Sequence, residues 1–174
     1  MRRLIAFACI AVLAAAPAQA KELKFTAALG GDRAPTMTGS KATGQALILV
    51  DTDRQTVGMT LDVKGLGIDS LWTNLLKTPM GPIHLHVYGG HDHSDPDSAQ
   101  LMFPAPYGPG YAKTAAGFRV EMKDVAYDTG AKLVNSRASF DEFVGALGAG
   151  RIVLNIHTNR FTDGEISGDV VPAA

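Results

Sequence analysis

The sequence predicts an all-β fold: an antiparallel β-sandwich of seven or eight short strands with one short helical insertion. Three observations carry this. Over residues 56–63, Val57, Met59, Leu61 and Val63 alternate with Thr56, Gly58, Thr60 and Asp62, the period of a half-buried strand. Runs of this kind are separated by clusters of Gly, Pro, Asn and Asp at a spacing that favours a sandwich or barrel. Helical spacing with a helix-opening signature is confined to residues 139–147.

The first 20 residues read as a secretory leader. Arg2 and Arg3 precede an apolar run over residues 4–16, and Ala18-Gln19-Ala20 forms a small-x-small cleavage site. The run is too short to span a bilayer. One domain is then expected over residues 21–174, in the periplasm or secreted. Cys9 is the single cysteine and lies within the leader, so the domain has no disulfide and rests on its core. Without Arg2 and Arg3, 14 basic residues face 17 acidic ones, a net charge of about −3. With no basic cluster, that excludes a nucleic-acid partner. No later stretch is long and apolar enough for a membrane span. The expected partner is an unknown protein or a metal ion.

Residues 21–30 alternate as a first strand, with Leu23, Phe25 and Ala27 facing inward. Residues 30–44, rich in Gly, Thr, Ser and Pro, form a loop. Residues 44–50 and 56–63 are two strands linked by Asp51-Thr52-Asp53-Arg54-Gln55, whose Asx residues supply turn chemistry; together they predict a β-hairpin. Residues 69–76 give one or two helical turns capped by Asp69. Residues 101–103 make a short strand that the prolines and glycines of residues 104–110 stop. Residues 117–125 alternate again, with Phe118, Val120 and Met122 on one side. Ser139 followed by Glu142 is a capping box. Phe140, Phe143, Val144 and Leu147 continue at helical spacing, and Gly148 and Gly150 end the helix. Residues 151–158 and 164–171 are the last strands.

Four of the five histidines fall in residues 82–93: His84, His86, His91 and His93. His84 and His86 alternate with Ile83, Leu85 and Val87, so both imidazoles leave one face of a strand, about 6.5–7 Å apart at their Cβ atoms. His157 leaves the polar side of residues 151–158. If the two strands are neighbours, the three rings share a face and can converge on one ion at about 2.0–2.1 Å. Imidazole suits copper or zinc, so copper or zinc is the expected cofactor, with His91 and His93 as additional candidate ligands from the following acidic loop. The same rings can instead hydrogen-bond to loops and pack on Tyr88 or Trp72 as a structural network. Glu165 is placed either to orient an imidazole from behind or to be a surface charge. Gly-x-Ser-x-Gly, phosphate loops and dinucleotide fingerprints are missing, so no catalytic residue and no organic-cofactor site is assigned.

Several stretches together resemble the CHRD domain, the module named after chordin. They are Lys24-Phe-Thr-Ala-Ala-Leu-Gly-Gly31, the hairpin ending in Val63-Lys-Gly-Leu66, Ile83-His-Leu-His86 with its Gly-Gly, and Ile152-Val-Leu-Asn-Ile-His-Thr158 leading to Gly164-Glu-Ile-Ser-Gly168. The resemblance implies a small β-sandwich, immunoglobulin-like or superoxide-dismutase-like in its Greek key, acting as a binding or structural module. Two places depart from the pattern. Arg33-Ala34-Pro35-Thr36 stands where the family has a Glu-Val-Pro-Pro-like motif, and His91-Asp92-His93 is added after the His-x-His. The His-x-His strand with a distant histidine is also similar to copper–zinc superoxide dismutase, which implies His84, His86 and His157 as copper ligands. On that likeness His91, His93, Asp95 and Asp97 stand in for the zinc half, compressed and without the enzyme's disulfide. The alternatives are therefore a copper-dependent redox enzyme of that kind, or a purely structural or adhesive domain without metal.

Overall fold

The structure is a computed structural model and describes residues 21–90, 93 and 98–174. The leader, His91, Asp92 and residues 94–97 lie outside the described residues. The fold expectation holds: the chain is mostly antiparallel sheet.

β1 (Glu22–Gly30), β2 (Thr43–Asp51) and β3 (Thr56–Lys64) form a continuous meander. The β2–β3 turn is held by Asp51, whose Oδ1 accepts from the backbone N–H groups of Asp53 at 3.0 Å and Arg54 at 2.8 Å, the Asx chemistry read from the sequence. β4 (Ile83–Val87), β5 (Gln100–Ala105), β6 (Tyr111–Lys113), β7 (Gly117–Ala126), β8 (Ile152–Ile156) and β9 (Ile166–Pro172) complete one sheet of nine strands. Its order is β5-β4-β8-β9-β1-β2-β3-β7-β6. The two edges come together, because the Tyr111 hydroxyl in β6 donates to the Ala105 carbonyl in β5 at 2.7 Å. The sheet thus folds over its own inner face and makes a sandwich-like shell around one core.

The core follows strand parity. Ile48, Val50, Val57, Leu61, Ile83, Leu85, Ile152, Leu154 and Ile156 are all fully buried. One side of the shell is closed by α2 (Tyr127–Leu133) and α3 (Phe140–Gly148). Tyr127 stacks on Phe143 at a ring separation of 5.0 Å and on Phe103 of β5 at 5.8 Å. α3 carries the capping box: Glu142 N–H donates to Ser139 Oγ, and Ser139 N–H donates to Glu142 Oε2.

Four local expectations are corrected. β5 continues through Pro104 to Ala105; as an edge strand it tolerates a residue that donates no N–H. β6 and α2 were not foreseen. β6 is only three residues long, and α2 contains Thr129 and Gly130, weak helix formers, so tertiary packing rather than propensity makes it helical. Asp69 caps nothing: it lies inside a 3₁₀ turn, Ile68–Ser70, and the next helix, α1 (Thr73–Leu76), has no side-chain cap from its own N-cap residue. Its first N–H, Thr73, instead donates to Asn159 Oδ1 at 2.9 Å, and Asn159 Nδ2 donates to the Leu71 carbonyl at 3.0 Å.

Gly130 lies directly against the ring of Phe103, where a Cβ would overlap ring carbons. Phe103 is fully buried and packed against Tyr127 and Phe143, so it cannot swing away. Gly130→Ala gains about 1 kcal/mol of helix propensity, yet overpacking should dominate with a net loss of about 1–3 kcal/mol. Thermal melts check this, each kcal/mol being worth about 2–4 °C in a domain of this size; an unchanged or raised Tm would show that the ring has room.

Candidate metal centre

β4 lies between β5 and β8, with His84 opposite Asn155 and His86 opposite Val153 in the antiparallel register. His157 follows β8 directly, and its N–H donates to the Pro82 carbonyl at 2.9 Å. Strand alternation then sends His84, His86 and His157 to the same side of the sheet. The ring centroids lie 4.9 Å apart for His84–His157, 5.7 Å for His84–His86 and 5.9 Å for His86–His157. Each residue offers a ring nitrogen, and the three nitrogens lie within 4.8 Å of one another. This side is no open surface: His84 is 3% exposed and His157 8%, while His86 is half-buried.

The hydrogen bonds fix the tautomers. His84 Nε2 is 2.8 Å from the Gly81 carbonyl, and His157 Nδ1 is 2.7 Å from the Thr162 carbonyl. A carbonyl only accepts, so each of these nitrogens carries its ring's proton and donates. In the neutral rings, His84 Nδ1 and His157 Nε2 are then bare lone pairs, and they face each other at 3.1 Å. Two acceptors at that distance repel unless a cation sits between them or beside them. A proton is disfavoured there. Burial first, then the neighbouring His157 and His86, push the His84 pKa from 6.5 to about 3, against the Gly81 bond. Burial and His157 lower that of His86 to about 4. Burial also lowers that of His157, opposed by the Thr162 bond and Asp163.

A metal ion fits the pair better. Two nitrogens on a tetrahedral ion at 2.0–2.1 Å are about 3.3 Å apart, close to the spacing present. His86 Nε2 is buried without a hydrogen-bond partner among the described residues and is the nitrogen left to serve as the third donor. The loop hydrogen bonds of the structural reading are present too, and Trp72 lies 6.4 Å from the His157 ring. Those bonds use one nitrogen each of His84 and His157 and leave the other bare.

His93 does not join this group. It is buried, with Nε2 2.7 Å from Asp169 Oδ1 and its ring 4.9 Å from Tyr88. His91, Asp95 and Asp97 lie outside the described residues. Glu165 neither orients an imidazole nor sits at the surface. It is buried; Oε1 accepts from the Ser40 hydroxyl and Oε2 from the Thr158 hydroxyl, both at 2.7 Å. The orienting groups are the Gly81 and Thr162 carbonyls, which carry no residue signature. Asn155 was also missed as a site residue. Its Nδ2 donates to the Asp163 carbonyl at 3.1 Å, and its Oδ1 is buried without a partner among the described residues. Its Asn-Ile-His placement two residues before His157 is the signal that points to it. The three imidazoles and Asn155 line a cleft of about 930 Å³, with Trp72 and Phe161 among its walls.

All three imidazoles have lowered pKa values in the folded chain, so the unfolded chain binds more protons below about pH 6.5. Stability is then full above that pH and lost as pH falls toward 4. Melts in chelator between pH 7 and about 5.5, above the ordinary carboxylate range, should show a falling Tm that flattens in His84→Gln; a wild-type profile that is flat across this window would contradict the burial argument.

The sequence profile described as the CHRD domain matches residues 25–170. Comparison with curated proteins finds no match.

Proposed function

The chain belongs to the CHRD-domain family, and we propose that it is an exported binding module of that family built around a three-histidine site for copper or zinc. A CHRD domain is a binding or structural module, and the histidine triad is the one cluster of metal-ligating side chains among the described residues. The observation that carries the metal reading is the pair of bare nitrogens, His84 Nδ1 and His157 Nε2, held face to face at 3.1 Å by proton donation to backbone carbonyls behind them. His86 supplies the third nitrogen. Such carbonyl contacts are the usual way a ligating imidazole is fixed in tautomer and direction. All-imidazole donors suit copper and zinc, with copper(II) bound more tightly. Export rests on residues 1–20, read as a leader that is removed to leave residues 21–174 in the periplasm or secreted. No helix among the described residues is long and apolar enough to cross a membrane.

Metal analysis of protein purified without a histidine tag tests this. One copper or zinc per chain is expected, lost in His86→Ala and in His84→Ala. Free metal at about 1,000 times its Kd adds about 4 kcal/mol of stability, a rise in Tm of about 8–16 °C. A metal-free protein whose Tm ignores added copper and zinc returns the structural reading instead. A dismutase-like enzyme requires, beyond this, that the copper-loaded form turn over superoxide.

A further inference from the structure

The metal reading leaves a charge unbalanced. Three neutral imidazoles around a divalent ion give a site of charge +2, largely buried. Taking such a charge out of water is costly unless a counter-charge accompanies it. Among the described residues, no carboxylate joins the three histidines as a ligand. Glu165 uses both oxygens for Ser40 and Thr158. Asp169 is held by His93. Asp163 acts on the His157 charge but lies on the exposed rim of the cleft, screened by solvent, and outside the ligand group. Among the described residues no carboxylate fills this role, and an anion from solution can bring the charge to the site.

The cleft says which kind. Three histidines leave a fourth coordination position open, as in sites that take an exogenous ligand. Its volume of about 930 Å³ suits a small organic molecule rather than a lone inorganic ion. Trp72 is tied to the site by its N–H, which donates to the His157 carbonyl at 3.1 Å. Phe161 lines the same cleft, and the Arg160 guanidinium rests on its ring at 5.1 Å from the centroid. Leu75, Met80 and Leu101 extend the apolar wall.

We propose that the open position takes the carboxylate of a small organic acid whose apolar body lies against Trp72 and Phe161, with Arg160 adding positive potential at the rim. This rests on the metal reading above.

Trp72 is the chain's only tryptophan, so it reports on the cleft directly. Zinc-loaded protein, with zinc content measured on the same sample, is titrated with benzoate, with benzamide as a neutral isostere and with acetate as a carboxylate lacking the apolar body. Benzoate should change Trp72 fluorescence saturably, with benzamide and acetate each at least about 10-fold weaker. His86→Ala should abolish the response together with the zinc, and Arg160→Gln should weaken benzoate by about 2–5-fold, the usual worth of an exposed charge, at unchanged zinc content. Phe161→Ala should weaken benzoate and leave acetate alone. One zinc per chain with benzoate no tighter than benzamide overturns the carboxylate; acetate as tight as benzoate overturns the apolar subsite. Protein that takes no zinc overturns the metal reading and the acid with it.

Discussion

Everything at the site depends on the pairing of β4 with β8. Antiparallel pairing sets His84 across from Asn155, and two residues further, just past β8, His157 meets Pro82 just before β4. A slip of one residue would turn His84 and His86 into the core and Ile83 and Leu85 out of it. Ile83, Leu85, Ile152, Leu154 and Ile156 are all fully buried, so the hydrophobic core enforces the register that gathers the imidazoles. The apolar face of these strands thereby fixes the chemistry of the opposite face.

The second constraint is electrostatic and local. Loop carbonyls at Gly81 and Thr162 accept hydrogen bonds from the imidazole N–H groups and leave the other ring nitrogens bare in a pocket where burial opposes protonation. Loops cover one side of the pocket. Thr38 and Ser40 bind Glu165, Thr36 and Ser167 bond at 3.0 Å, and Asn159 ties residues 70–73 to the end of β8. Glu165, just before β9, and Ser167 within it are thus consumed in holding the cover, so Glu165 serves the loops rather than the histidines.

Much of this was legible in the sequence, and the limits have physical causes. Period-two alternation gives the face of each histidine, and the Asx turn at Asp51 and the capping box at Ser139 are written in residue type. Strand order is not encoded in periodicity, so the adjacency of β4 and β8 had to be seen. Val153 is the residue that hints at a covered site: it lies on the polar side of β8 yet is fully buried. Backbone carbonyls have no residue identity, so the contacts that fix the tautomers were invisible. α2 and the extension of β5 through Pro104 arise from packing and edge position, which override local preference.

The metal site stands on the tautomers. Long-range ¹H–¹⁵N correlation spectra of the imidazoles in metal-free protein at pH 7 should place the proton on Nε2 of His84 and on Nδ1 of His157. On adding zinc, the signals of His84 Nδ1 and His157 Nε2 should move from bare-nitrogen to coordinated positions while both protons stay in place. Mixed tautomers, a proton shared between the two rings, or spectra that ignore zinc would contradict it.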